Sequence, residues 1–273
     1  MAVEGLSFHK IDPPPALSPF VECFWVLDHS SPSSGLSNHL VFPDGGIDLC
    51  VKWERYRGSQ RLDKSPYVSG LALSSRAEPL SEVRFICGAR FRPTLGAELF
   101  GIGGSDATQS FIPLDALWKN EGELLVERIV AAPSPLECLR NMATILEERL
   151  PRLLRIDPVL SRAARLMEDR HGAVSIAEIE SLGLGARGLR RKFDRIFGIN
   201  PKTYCRILRF SHAVDLARLA DPRDWADVAV SAGYYDQSHF IQDFQEFSGT
   251  TPDRHFARVD PVRFFQYGDL ASF

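Results

Sequence analysis

Between Gly233 and Pro252 the chain reads GYYDQSHFIQDFQEFSGTTP and contains no lysine or arginine. A turn followed by a helical pattern has the form of an element that lies on DNA, yet Asp236, Asp243 and Glu246 give this one the wrong sign for approaching a polyanion. Other absences bound the chain more broadly. No apolar run approaches the length of a bilayer span, and the N-terminal MAVEGLSFHK has neither the basic start nor the apolar stretch of a secretory signal. A cytoplasmic location without a membrane partner is therefore expected. The five cysteines, Cys23, Cys50, Cys87, Cys138 and Cys205, are scattered and never spaced as CxxC, which fits reduced, mostly buried thiols. None of the seven histidines falls into a metal-ligand spacing, so neither a metal nor another cofactor is expected. HExxH, GxSxG and a paired Cys and His signature are all missing, and the chain is read as a non-enzyme, although a catalytic site built from scattered residues leaves no linear mark. GIGGS at Gly101 to Ser105 has the glycines of a phosphate loop but not the preceding strand or the lysine, and is read as an ordinary loop.

What is present points to two domains. A length of 273 residues allows two cores of ordinary size, and 44% hydrophobic with 25% charged residues is a globular composition. To about residue 92 the pattern is that of strands and turns. In GIDLCVKW the apolar Ile47, Leu49, Val51 and Trp53 alternate with Asp48, Cys50 and Lys52, and in EVRFICGARFRP the residues Val83, Phe85, Cys87, Ala89 and Phe91 form one face. The opposite face carries Arg84, Arg90 and Arg92. PDGG at Pro43 to Gly46 is a turn, and HSSPSSGLSN from His29 to Asn38 a flexible connection. From Thr94 onward the period becomes helical, with a domain boundary near Pro151 to Asp157.

Past that boundary the helices are short and separated by glycine. Asp157 and Pro158 suit an N-cap and first turn, Gly172 an end, and Ser175 the cap of IAEIESLG with Ile176 and Ile179 facing inward. After Gly183 to Gly185, ARGLRRKFDRIF carries Leu189, Phe193 and Ile196 as its apolar stripe. Two short helices around a glycine turn, the second one basic, form a helix-turn-helix pattern. A long helix from Pro201 to about Ala220 follows, and then the arrangement repeats, with Val228 and Ala229 in one helix, a turn at Gly233, and Phe240, Phe244 and Phe247 as the next stripe. The exits match too, FGINP and SGTTP. Charge divides this region, because Arg187 to Arg209 holds eight basic residues against one acid, whereas Phe210 to Asp253 holds two against eight.

LRRKFDRIFGINPKTYCRILRFSHAVDLA and VAVSAGYYDQSHFIQDFQEFSGTTPDRHF carry a resemblance to the DNA-binding domain of the AraC/XylS family of transcription regulators, over about Asp157 to Phe256. The first unit departs from the family in being one residue short and in having Gly185 where a capping serine is usual. PPALSPFVECFWVL, FPDGGIDL and CGARFRPTLGAELFGI are similar to the front half of a poorly characterised subgroup of these regulators, unlike the sugar-binding cupin of the arabinose regulator. The resemblance implies an α+β chain: residues 1–155 a mainly β sensor or dimerisation domain with following helices, 156–258 an all-α domain of two helix-turn-helix units joined by a long helix, and 259–273 a tail. It implies a sequence-specific regulator whose partner is double-stranded DNA, with RNA polymerase, a small-molecule effector and a second copy of the chain as further partners open to it. The alternative is an enzyme or binding protein in the N-terminal domain fused to a DNA-binding module.

By position in that pattern, Arg187, Arg190 and Arg191 would reach base edges, where a guanidinium can donate two bonds to guanine O6 and N7. Gln237, Ser238 and Gln242 are their neutral counterparts in the second unit, which either reads DNA weakly or is kept for packing. Lys192, Arg195, Lys202, Arg206 and Arg209 would touch phosphates or stay solvated. Asp236 and Glu246 would repel the DNA backbone, leaving the second helix to its N-terminal dipole for a phosphate contact. His239 could face either way. In the N-terminal domain Arg84, Arg90 and Arg92 could bind an anionic effector, though a solvated sheet face explains them equally well. Trp25, Phe42 and Trp53 are either pocket walls or core.

Overall fold

The structure is a computed structural model that describes residues 7–29, 38–54, 63–79, 83–118, 121–153, 157–183, 185–219, 224–257 and 270–271. Most of the predicted connection between His29 and Asn38, Leu184 in the turn after Gly183, and residues 154–156 at the domain boundary lie outside these.

The alternating patterns become the strands of one seven-stranded sheet. Its members are β1 (Ser7–Ile11), β2 (Val21–Asp28), β4 (Ile47–Glu54), β5 (Asp63–Ser69), β7 (Val83–Phe91), β8 (Phe111–Pro113) and β9 (Leu270–Ala271), in the order β8, β5, β4, β7, β2, β1, β9. All neighbours are antiparallel except β1 and β9. The short strand β8 falls in the region whose pattern predicts helices alone. A separate antiparallel ribbon joins β3 (Asn38–Val41) and β6 (Arg76–Pro79), with Val41 opposite Arg76.

The period of two gives the sheet two different faces. Ile47, Leu49, Val51 and Trp53 are buried with Phe24, Cys87, Ala89 and Phe91 in the main core. Helices α1 (Pro93–Phe100), α2 (Leu114–Leu117), α3 (Glu121–Ala131) and α4 (Pro135–Leu153) follow β7, and α1 and α4 pack against the sheet. Trp53 is therefore core and not a pocket wall. On the other face, Asp48 pairs in register with Arg90, and Cys50 with Gly88. A side chain at Gly88 would meet the Leu49 carbonyl at 2.6 Å and the Trp25 ring at 2.9 Å. Glycine there lets the Trp25 indole lie across the strands.

Between Pro158 and Ala257 the elements among the described residues are all helices: α5 (Pro158–Asp169), α6 (Ile176–Glu180), α7 (Ala186–Phe197), α8 (Pro201–Leu219), α9 (Trp225–Ser231), α10 (Gln237–Ser248) and α11 (Pro252–Ala257). The predicted caps are made. The Asp157 carboxylate accepts from the amides of Val159 and Leu160, and Ser175 forms a reciprocal capping box with Glu178. Gly185 caps α7 without any side-chain bond. The chain thus has the α+β organisation expected from its sequence, a mainly β part followed by an all-α part.

These parts share one continuous core. Phe42, in the turn after β3, sets its ring 5.6 Å from Phe210 on α8 and 5.1 Å from His255 on α11. Ser75, just before β6, donates from its amide to the Phe247 carbonyl at 2.7 Å and from its hydroxyl to the Ser248 carbonyl at 3.0 Å, at the C-terminal end of α10. The end of α7 is held by a different segment. Gly198, its left-handed C-cap at φ 66°, lies so close to the Gly104 carbonyl that no side chain would fit, and GIGGS is the start of a single 3-10 turn (Gly104–Ala107) packed there. Sheet-side segments thereby brace the far ends of both helices that carry the candidate reading residues.

A half-buried acid lies where the parts meet. Glu168 accepts a hydrogen bond from the Tyr204 hydroxyl at 3.2 Å, and Glu22 and Arg92 of the N-terminal part act on it electrostatically. Burial raises its pKa to about 7, against the lowering effect of the Tyr204 bond. A folded-state value above the ordinary 4.5 means that the stability gained from protonation is fully present below about pH 4.5 and is lost as the pH rises through about 7. Glu168→Gln should flatten that loss. At pH 8 the variant should melt a few degrees higher than the native protein, and at pH 4.5 at the same temperature; parallel melting curves at both pH values would show that this carboxyl does not titrate as described.

Candidate nucleic-acid interface

In each helix-turn-helix unit the buried stripe decides which side chains point outward. Helix α7 buries Leu189, Phe193, Ile196 and Phe197, and at a spacing of 3.6 residues this leaves Arg187, Arg190, Arg191 and Arg195 exposed. Helix α10 buries Phe240, Asp243, Phe244 and Phe247, which leaves Gln237, Ser238 and Gln242 exposed. His239 is half-buried, its ring edge-on to Tyr234 at 5.3 Å. Both helices have 12 residues, and both end on a left-handed glycine, Gly198 or Gly249, whose amide donates to the carbonyl four residues back. Aligned on these glycines, Arg187 corresponds to Ser238, Arg190 to the half-buried Ile241, and Arg191 to Gln242. Tyr235, in the turn before α10, is 91% exposed. Sequence reading passed over it, although an aromatic residue one position before an N-cap has no apolar stripe to join.

The basic cluster proves to be of two kinds. Arg195 and Lys202 are exposed, as phosphate contacts would need to be. Lys192, Arg206 and Arg209 are instead held by the protein, so they are not simply solvated charges. Lys192 forms an ion pair with Asp157 at the start of α5. Arg206 donates from Nε and Nη2 to Asp243 Oδ1 at 3.1 and 2.7 Å, and from Nη1 and Nη2 to Glu246 at 3.2 and 2.5 Å. Arg209 donates to the Gly172 carbonyl at 3.1 Å and lies over the Tyr234 ring. The acids of the second reading helix are explained in the same way. Asp243 and Glu246 are counter-ions of Arg206, and Asp236 is the N-cap of α10, accepting from the His239 amide at 2.7 Å. That carboxylate already occupies the helix N-terminus, so the expected dipole contact to a phosphate there is withdrawn.

Lys192 and Asp243 stand at the same place, the seventh residue of α7 and of α10. Each ties its reading helix to the helix that precedes its own unit, the N-cap of α5 in one case and α8 in the other. The sign of the charge is inverted between the two.

The predicted arginine cluster of the N-terminal domain is taken apart. Arg84 lies over the Phe85 ring, and Arg92, just past the end of β7, donates from Nε to the Ser18 carbonyl at 3.2 Å. Arg90 lines a cavity of about 130 Å³ between the polar face of the sheet and the β3 and β6 ribbon, and Arg84 and Arg92 are not among its lining residues. Burial opposes its charge, and the carboxylates of Asp44 and Asp48, at 2.6 and 2.9 Å, more than compensate. An arginine already clamped by two carboxylates is no open anion site. Trp25 and Phe42 line this cavity, and Phe42 also belongs to the core. All five cysteines are free and buried, and among the described residues no helix is long and apolar enough to cross a membrane.

Comparison with known proteins gives two family matches, a helix-turn-helix domain over residues 176–258 and a domain of unknown function, DUF6597, over residues 9–113. No curated protein matches the chain. Among solved structures, ToxT from Vibrio cholerae O395 is similar at 11% identity and a TM-score of 0.42, covering 95% of this chain and 100% of that one. Wild-type ToxT from V. cholerae strain SCE256 with an unsaturated fatty acid bound is similar at 11% identity and a TM-score of 0.42, covering 94% and 96%. The two outward-facing helices described above both fall within the first match, and the C-terminal part of the chain is an AraC-type helix-turn-helix domain, the DNA-binding part of a transcription regulator.

Proposed function

We propose that the chain is a sequence-specific regulator that holds double-stranded DNA chiefly through α7, reads it more weakly through α10, and responds to a small molecule in the N-terminal domain. The observation that carries this reading is the contrast between the exposed arginines of α7 and the neutral exposed face of α10, whose nearby cation is consumed by Asp243 and Glu246. Arginine at Arg187, Arg190 or Arg191 can make paired bonds to guanine, while Gln237 and Gln242 suit adenine N6 and N7 and Ser238 suits either pair. Affinity independent of sequence comes from cations brought to phosphates, and here Arg195 and Lys202 are the exposed ones of the predicted set.

Footprinting on a site selected from random DNA should show strong protection over one half and weaker, salt-sensitive protection over the other. Gln242→Arg should raise affinity largely irrespective of sequence and steepen the salt dependence by about 0.9 per added phosphate contact. Equal protection of both halves, with no gain from that change, would mean that α10 is not the weaker head.

A further inference from the structure

The cavity walls restrict what the N-terminal domain can take. Three lining cations, Lys10, Arg76 and Arg90, stand against three lining carboxylates, Asp44, Asp48 and Glu78. Arg90 is committed to Asp44 and Asp48, and Lys52, behind Glu78 at 3.2 Å, is itself offset by Glu54 at 3.1 Å, so the balance of the lining is kept. The thiols add no charge, since burial pushes Cys23 up to about 12 and Cys50 well above its ordinary value. A ligand with a net charge would therefore upset a lining whose six charges cancel, at a desolvation cost that an uncharged ligand does not meet.

Apart from the hydroxyls of Tyr67 and Ser69, the remaining lining is aromatic and aliphatic, with Phe8, Leu27, Val41, Phe42 and Ile86 around Trp25. Trp25 and Phe8 stack with centroids 6.0 Å apart, and both rings are half-buried. The indole Nε1 already donates to Asp48, so what Trp25 offers is its face. One polar group is left over, because Arg76 Nε is buried and has no hydrogen-bond partner among the described residues. An apolar cavity of about 150 Å³ takes up benzene, so the present volume of about 130 Å³ sets the scale at a single ring.

We propose that this cavity binds an uncharged aromatic molecule of a single ring bearing a hydrogen-bond acceptor, and that its occupancy is transmitted to α10 through the β3 and β6 ribbon and not to α7. The ligand class stands on the cavity alone; the transmission rests on the regulator reading given above. Val41, Arg76 and Glu78 form the ribbon's cavity side. The segments at its ends carry the contacts to the second unit: Phe42 with Phe210 and Phe244, and Ser75 with the carbonyls of Phe247 and Ser248. Helix α7 rests instead on α1 and on the turn at Gly104, which follow the sheet on its other face. A ligand that shifts the ribbon moves the end of one reading helix and leaves the other in place.

Benzamide, benzoate and benzamidinium have nearly the same shape and differ in charge, which makes them suitable probes. Calorimetric titration of the full chain should find benzamide bound at least about tenfold more tightly than either ion, and Trp25→Ala should weaken it by about tenfold through the lost ring contact. Val41→Phe, which adds volume on the cavity side of the ribbon, should also exclude benzamide while melting like the native protein. Footprints with saturating benzamide should change over the half-site assigned to α10 only. Benzoate or benzamidinium binding as tightly as benzamide, no binding by any of the three, or benzamide binding indifferent to both substitutions would overturn the ligand class. Equal change over both half-sites, or change over neither, would overturn the ribbon route. A chain that binds benzamide but no DNA would overturn that route together with the regulator reading, and leave the ligand class standing.

Discussion

Alanine at Arg187, Arg190 and Arg191 together should lower affinity for a cognate duplex by at least about a hundredfold, the three single changes costing about 1 to 3 kcal/mol each. The three side chains are exposed on the face of α7 opposite Leu189 and Phe193, and no hydrogen bond or ion pair to the protein is among the contacts described for them. Their replacement should therefore leave folding nearly untouched, within about 0.5 kcal/mol, as is usual for surface positions away from caps and ion pairs. Binding and stability should thus separate. Each single variant should also relax base preference at its own position in a selected site, because a lost base contact removes discrimination as well as affinity. Electrophoretic titration on a selected duplex and on one scrambled at the same composition measures both. Three variants that bind the selected duplex like the native chain would show that α7 does not present these residues to bases.

The opposite separation is expected at Arg206. Arg206→Ala should destabilise the fold by about 2 to 3 kcal/mol and leave the salt dependence of DNA binding unchanged. The Asp243 side chain is 2% exposed, and its Oδ1 receives both Nε and Nη2 of Arg206. Removing the guanidinium leaves a carboxylate buried without a cation, a loss of roughly 3 to 5 kcal/mol for a fully buried pair. The figure is lowered because Arg206 is itself 23% exposed and water can fill part of its place. Lys202→Ala provides the contrast, since it should keep the stability and reduce the salt slope by about 0.9. Urea unfolding and binding isotherms at several salt concentrations test the two together. Arg206→Ala with native stability and a shallower slope would return this residue to the phosphate contacts.

Reading helices could be recognised from sequence because their signals are local. The spacing of Leu189, Phe193 and Ile196 fixes a helix and its buried side at once, and the sheet faces of β4 and β7 follow from a period of two in the same way. Charge pairing was not local. Arg206 and Asp243 are 37 residues apart, and Arg90 and Asp48 are 42 apart, so a run of cations on a helix looks the same whether its partners are phosphates or distant carboxylates. Arg92 shares parity with Arg84 and Arg90 but lies past the end of β7, where the strand period no longer sets direction. The cavity was hidden for the same reason. It needs the β3 and β6 ribbon to close over the sheet, and no pattern within either strand announces that pairing.

The inverted ion pairs at the seventh residue of α7 and α10 make the two units non-interchangeable. A copy of α7 placed after α8 would bring the position of Lys192 opposite Arg206, cation against cation, and a copy of α10 placed after α5 would set the position of Asp243 against Asp157. Each reading helix is keyed to its own support by a single sign. Recombination within the repeat is penalised, while substitutions on the outward faces are not. Target preference can therefore diverge in either unit without either helix gaining a second place to dock.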